Sequence, residues 1–247
     1  MSVYIFPCSS ERSRTGDRMG HLTAVYIFGS VGRGEQDYRS DLDLLAVVSD
    51  GHGRVADEEV LTHVPQHLRH FKPGISWYGQ KRLAEMFENG ELFAWHLYAE
   101  TIPVLDESAF LSSLGKPKPY KDAALDVSSF RRVLKGIPGH LNENRYNSIY
   151  ETGLIYVCMR NIAMAASWEF CDKPDFTRYS PFRLRSVREC PISISEYETT
   201  MTCRMAAQRG LEPPAGVDAD FALRMYEVID PWIECISLRL RQEDEVG

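Results

Sequence analysis

The sequence predicts an α/β (α+β) N-terminal domain built on a short mixed sheet, followed by an all-α helical bundle. Three observations predict it. Apolar, β-branched runs alternate with helical patterns through the first 113 residues; "LGKPKPYKD" then has the composition of a linker; beyond it only helical periodicity remains. The 247 residues accordingly divide into a flexible arm (1–19), an α/β domain (20–113), a linker (114–122) and a helical bundle (123–247).

The elements follow in order. The polar opening "MSVYIFPCSSERSRTGDRMG" lacks the long apolar segment of a signal peptide. "TAVYIFG" (Thr23 to Gly29) is a β-branched and aromatic run closed by glycine, which predicts a buried strand. "DLDLLAVVSDG" (Asp41 to Gly51) predicts a second, ended by a Ser-Asp-Gly turn. "ADEEVLTHVPQHLRHF" has a helical pattern interrupted at Pro65, and "GISWYG" (Gly74 to Gly79) is a third short strand. "QKRLAEMFENGELFAWHLYAE" carries apolar residues at helical spacing on two segments divided near Gly90, after which "TIPVLDE" returns as a fourth, edge strand. In the second half, helices are predicted around 122–135, 143–171, 193–209 and 217–242, with "CDKPDFTRYSPFRLRSVRECP" as a loop between them.

Composition narrows the function classes. With 44% hydrophobic and 26% charged residues the chain is globular, and a formal charge of -7 provides no overall field for a nucleic-acid backbone. A small substrate or a protein partner is the better expectation. No apolar run approaches the length of a membrane span, so a cytoplasmic location is expected. Cys8, Cys158, Cys171, Cys190, Cys203 and Cys235 are scattered without metal-ligand spacing and are read as reduced, mostly buried thiols.

The informative stretch is "VYIFGSVGRGEQDYRSDLDLLAVV", Val25 to Val48. Alternation along a strand projects Asp41 and Asp43 from one face while Leu42 and Leu44 enter the core. Two adjacent carboxylates repel unless a cation lies between them, and the hard ion that prefers carboxylate and phosphate oxygens is Mg²⁺. The preceding loop supplies a complementary half. Gly29, Gly32 and Gly34 let backbone approach a ligand, while Ser30 and Arg33 offer a hydroxyl and a guanidinium to phosphate oxygens. A helix starting just after Gly29 would add an anion site. Loop and metal together point to a nucleoside triphosphate.

Gly29-Ser30, ten residues from Val31 to Ser40, then Asp41-Leu42-Asp43 resembles the nucleotidyltransferase superfamily named after DNA polymerase β, most closely its minimal members and relatives that add a nucleotide to antibiotics or proteins. The resemblance covers roughly residues 20–110, and "GELFAWHLYAETIPVLDE" is similar to the ending of such domains. The layout is also similar to aminoglycoside nucleotidyltransferases and to nucleotidyltransferases fused to a helical domain of the HEPN type. The resemblance implies that Asp41 and Asp43 hold Mg²⁺, with room for two ions, and that Gly29, Ser30, Arg33 and Ser40 bind the triphosphate, with ATP the default. An acceptor hydroxyl on a small molecule or a protein would then attack the α-phosphorus and release pyrophosphate.

One departure stands out. Many members carry a third carboxylate on a later strand, where this chain has Ser76, and no acid lies between Pro73 and Ala84. Three readings follow: a two-carboxylate site completed by Glu100 or Asp106, a different register of the third strand, or a nucleotide-binding regulatory or antitoxin-like partner protein without turnover. A homodimer through the helical half is the default assembly.

Four further features have bland and sharp readings. His63, His67 and His70 fall on one helical face and are read as solvated; His96 is read as a hydrogen-bonded core histidine, with a place near the cleft as the alternative. Arg160, inside an apolar helix, either packs or lines an acceptor cleft. HEPN-type ribonucleases use an arginine and a histidine with four to six residues between them, but Ala165, Ala166 and Ser167 stand at the histidine places, so RNA cleavage is not expected. Arg178, Arg183, Arg185 and Arg188 are read as partners of nearby carboxylates or of a triphosphate rather than of nucleic acid.

Overall fold

The computed structural model describes residues 20–51 and 53–246, so the expected arm at 1–19 lies outside the described residues. The chain divides between Tyr120 and Lys121 into two compact units.

The N-terminal unit is built on four strands, β1 (Leu22–Phe28), β2 (Leu42–Val48), β3 (Pro73–Gly79) and β4 (Ile102–Leu105). Their order is β3-β2-β1-β4, with β1 antiparallel to both β2 and β4, and β2 parallel to β3. Both faces of β1 and β2 are buried, which is why these strands read as continuous apolar runs. On one face Leu42, Leu44 and Ala46 pack with Val25, Ile27, Val60 and Val64, the last two from the segment around α2 (Asp57–Thr62). The other face sets Leu45 and Val47 beside Tyr26 and Phe28. It is covered by Leu83, Met86 and Phe87 of α3 (Gln80–Asn89) and by Phe93, Ala94 and Leu97 of α4 (Leu92–Glu100).

Two details depart from expectation. Helix α2 stops at Thr62, just before His63, and a separate 3₁₀ turn spans Gln66–Leu68, so the three histidines do not share a helical face; Pro65 separates the pieces because its ring cannot continue a helix. The segment read as a linker is bound to the N-terminal unit: Lys118 N donates to the Phe87 carbonyl at 2.9 Å, and Trp95 Nε1 donates to the Lys118 carbonyl at 2.8 Å. It passes so near Gly90 that a Cβ there would lie 2.5 Å from the carbonyl oxygens of Lys118 and Pro119. Two short helices complete this unit, α1 (Gly29–Gly32) and α5 (Phe110–Ser113).

The second unit comprises α6 (Ala123–Glu143), α7 (Ser148–Phe170), α8 (Ile194–Arg209) and α9 (Ala219–Val246). Helix α6 runs eight residues past the expected end at 135, through Pro138. The helix tolerates the break, which costs about 3 kcal/mol, because Ile137 and Leu141 on either side of it are fully buried. Helix α7 is the central helix, packed by α6, α8 and α9, and nearly all of it is buried. Arg160 packs: its Nη2 donates to the Phe176 carbonyl at 3.0 Å, tying the following loop to the helix. Arg183 and Arg185 of that loop pair with Asp175 and Asp172. Glu151, only 2% exposed, has Oε1 3.1 Å from His140 Nδ1, and burial raises its carboxyl above the usual range more than His140 lowers it. Among the described residues all five cysteines are free thiols; Cys158 and Cys203 are buried, and burial pushes the Cys158 thiol up to about 12.

Close approach of α7 and α8 depends on Gly153, where a Cβ would fall 2.7 Å from Arg204 Cα and 2.8 Å from its amide nitrogen. Because the obstacle is backbone, a whole helix must move. Gly153→Ala is therefore expected to destabilise the bundle by about 1–3 kcal/mol, in spite of a helix-propensity gain of about 1 kcal/mol, measured as a drop in the denaturant midpoint.

Candidate functional site

One edge of the sheet collects the end of β1 and the starts of the other three strands. Phe28 is paired with Asp43, Asp43 with Gly74, and Ile27 with Ile102. Everything that follows β1 or precedes β2, β3 and β4 therefore meets at this edge.

Asp41 immediately precedes β2 and Asp43 is its second residue; both are partly exposed, although Asp41 Oδ1 is itself shielded from solvent. Burial of Leu42 and Leu44 against the α2 side directs the two aspartates to the opposite side, as alternation requires. Gly29 opens the single turn of α1 at φ +69°, a left-handed conformation, and a Cβ there would lie 2.6 Å from Asp43 Oδ2. On the other flank, a Cβ on Gly74 would lie 3.8 Å from Asp43 Oδ1. The Asp43 carboxylate is thus seated between two glycines from two different connections.

The turn closes on itself through Arg33 N to the Gly29 carbonyl at 3.0 Å, Gly34 N to Val31 at 3.1 Å and Glu35 N to Ser30 at 2.8 Å. Ser30 is half-buried on its first turn. Arg33 does not extend into solvent: Nη1 donates to Glu100 Oε2 at 2.6 Å and Nε donates to Glu35 Oε2 at 2.8 Å. Burial alone would lower the pKa of this guanidinium, but Glu100 and Glu35 together outweigh it and raise the pKa. Ser40 is buried and closes a turn with Asp37, its Oγ donating to Asp37 Oδ1 at 2.9 Å and accepting from the Asp37 amide at 2.9 Å.

The register resolves the place of the missing acid. Ser76 is paired with Leu45, two residues farther along the strand than Asp43, and is buried; the lateral neighbour of Asp43 is Gly74. Neither acid expected to compensate does so. Glu100 ends α4, where it is bonded to Arg33 and 2.7 Å from His96 Nε2. Asp106 accepts from Tyr26 Oη, from the Phe110 amide at 2.9 Å and from Ser108 Oγ at 3.2 Å; burial, followed by Asp106, raises the Tyr26 hydroxyl pKa. Among the described residues no three His, Cys, Asp or Glu side chains come together as a metal-binding group.

His96 is the core histidine of the bland reading, 4% exposed and edge-on to Phe28. Its pairing with Glu100, which also accepts from Arg33, was not foreseen from the sequence. The His-x-x-x-Glu spacing inside an otherwise apolar helix is the signal that could have found it, because such polar pairs in a buried segment need a partner.

Gly29→Ala is expected to impose a left-handed residue costing about 1–2 kcal/mol and to drive the Asp43 carboxylate from its seat. The measurement is a thermal melt, and a lower melting temperature in a still-folded variant is the expected outcome.

No curated protein matches the chain. Residues 13–96 match the family model described as a nucleotidyltransferase domain. That span takes in the turn after β1, both aspartates and most of α4, so the likeness to nucleotidyltransferase domains covers the candidate site.

Proposed function

We propose that the chain moves a nucleoside monophosphate from a nucleoside triphosphate to a hydroxyl acceptor, releasing pyrophosphate, with Mg²⁺ held by Asp41 and Asp43. The acceptor is a small hydroxylated molecule or a Tyr, Ser or Thr of a partner protein, and ATP is the first nucleotide to try. The observation that carries this reading is the seat of Asp43 against Gly29: the carboxylate and the head of the turn are packed within one side-chain atom of each other.

The donor set fits the ion. Mg²⁺ is commonly bound through one or two carboxylates, with waters and substrate phosphates completing its octahedron, so the pair Asp41 and Asp43 suffices without a third acid. When bound, Mg²⁺ neutralises phosphate charge and stabilises the attacking and departing oxygens.

The remaining work belongs to the chain. Asp41 and Asp43 fix the place of the charge, and Gly29 keeps the space between turn and carboxylate open. The leading amides of the α1 turn have no acceptor within the turn and, with Ser30 Oγ, serve as donors to phosphate oxygens. A one-turn helix has little macrodipole, so these direct hydrogen bonds carry the recognition.

Incubation with α-labelled ATP, CTP, GTP or UTP, Mg²⁺ and cell lysate tests transfer. Label should appear on a protein or a metabolite and fall by about a thousandfold with Asp41→Ala plus Asp43→Ala, the loss of roughly 4 kcal/mol of charge stabilisation. Nucleotide binding with no label moved in any fraction would refute the activity.

The vacancy beside Asp43 supplies a second measurement. Gly74→Asp places a third carboxylate next to Asp43, repulsive without a cation and compensated with one. Its melting temperature should lie below wild type in chelator and rise more steeply with added Mg²⁺; an unchanged Mg²⁺ response counts against a metal at this position.

A further inference from the structure

The order of the strands also orders the transfer reaction along the sheet edge. The turn proposed to receive phosphate follows β1, the acidic pair stands at the start of β2, and β3 lies on the far side of β2 from that turn. In-line displacement puts the attacking oxygen and the departing pyrophosphate on opposite sides of the α-phosphorus. With pyrophosphate at the β1 turn and the α-phosphorus at Asp41 and Asp43, the acceptor hydroxyl approaches from the start of β3.

That start presents a cation beside an open place. Gly74 faces the acidic pair, since a Cβ there would stand 3.8 Å from Asp43 Oδ1. Ile75 and Trp77 pack on the opposite face with Leu44, while Tyr78 packs on the face of Leu45, so the core fixes the alternation of β3. Lys72 continues the row of Gly74 one step outward. Its carbonyl accepts from the Leu42 amide at 3.0 Å, and Pro73 after it holds its backbone extended. The Lys72 side chain therefore leaves the sheet on the same face as the two aspartates, beside Asp41, and it is exposed.

The charge of this region is one-sided. No aspartate or glutamate occurs from Val60 to Ala84, a stretch that holds Arg69, Lys72, Lys81 and Arg82, although the whole chain carries a formal charge of -7. Lys72 takes no part in the carboxylate pairs that hold Arg33, Arg82, Arg131 and Arg145. Two carboxylates and one Mg²⁺ cancel, which leaves the Lys72 ammonium as the uncompensated charge on this side of the acidic pair. Neighbouring strands are about 4.8 Å apart, so the β1 turn is about 10 Å away and the departing phosphates belong to the turn. A cation at the start of β3 meets what enters with the hydroxyl.

We propose that Lys72 selects the acceptor: the molecule that receives the nucleotide is a small hydroxyl compound carrying a phosphate or a carboxylate, and the Lys72 ammonium binds that anion at the start of β3. The inference rests on the transfer reaction proposed above and narrows its acceptor to an anion, as against a polycation. In the step itself the acceptor oxygen bonds the α-phosphorus, the bond to pyrophosphate breaks and the hydroxyl proton passes to water; Lys72 forms no covalent bond and gives up no proton.

A cell extract freed of macromolecules and separated by charge into anionic, neutral and cationic pools tests the class. Each pool is incubated with the full chain, α-labelled ATP and Mg²⁺. Label should move to a new species with the anionic pool alone. Phosphatase treatment of that pool, followed by heat inactivation, separates the two sources: lost transfer identifies a phosphate ester, persistent transfer a carboxylate. Transfer with the neutral or cationic pool, or to the protein or RNA fraction assayed separately, overturns the proposal. No transfer with any fraction would instead sink the reaction on which it rests.

Lys72→Met keeps the length of the side chain and removes its charge. With the anionic pool limiting, transfer should fall about tenfold, the loss of one charge-assisted contact, and Lys72→Arg should recover most of it. Calorimetric titration with a non-hydrolysable ATP analogue and Mg²⁺ gives a readout independent of the acceptor. Affinity in Lys72→Met should stay within about twofold of wild type, because an exposed charge away from the bound phosphates contributes little. Unchanged transfer in Lys72→Met, or nucleotide affinity reduced as far as transfer, means that Lys72 does not read the acceptor and the proposal is wrong.

Discussion

The candidate site depends on one close contact, that of the Asp43 carboxylate with the backbone of Gly29. A carboxylate oxygen 2.6 Å from where a Cβ would stand leaves space for hydrogen alone, and the left-handed φ of +69° independently favours glycine. Steric and conformational demands coincide at one residue. The turn cannot move toward the strand without striking the carboxylate, nor can a larger residue be admitted without displacing it. The distance between the anion-binding backbone and the acidic pair is therefore set by van der Waals contact rather than by a flexible side chain.

Sheet order makes that contact possible. The antiparallel pairing of β1 with β2 brings the end of one against the start of the other, and the parallel pairing of β3 adds Gly74 to the same row. The antiparallel β4 brings α4's last turn to that edge as well. Four chain segments remote in sequence thus converge, and the two central strands, β1 and β2, anchor them in the buried core. Rigidity at the edge is inherited from burial behind it: Leu44, Leu45, Ala46 and Val47 of β2 are all fully buried. Chemical groups on such a frame need little reorganisation when a ligand arrives, which is the condition for catalysis by positioning and charge.

The four strands and the change to an all-helical second half were legible because they rest on local periodicity and composition. So was the alternation of Asp41 and Asp43, which follows from strand geometry. Register was not legible: the residue beside Asp43 is decided by how β2 and β3 slide against each other, and a two-residue slip exchanges Gly74 for Ser76 on the same face. Nor was the orientation of Arg33. Glu100 lies sixty-seven residues away, and nothing local reveals that β4 returns beside β1 and brings the end of α4 to the turn. The full length of α6 was not legible either, since the tendency of proline to end helices is overridden at Pro138, where burial of Ile137 and Leu141 continues on both sides.

A site with two carboxylates and no third acid among the described residues has a thermodynamic consequence under the proposed function. Two carboxylates leave most of the Mg²⁺ coordination sphere to water and to the phosphates of the incoming nucleotide. Ion and triphosphate then stabilise each other's binding, and linkage makes the benefit equal in both directions. The free protein would hold the ion weakly, and the nucleotide would arrive with much of the metal affinity. Under those conditions the turn has to be correctly shaped before the ion is in place, because the ion is not there to shape it. Fastening the turn to a buried carboxylate on α4 meets that requirement by means of the fold alone.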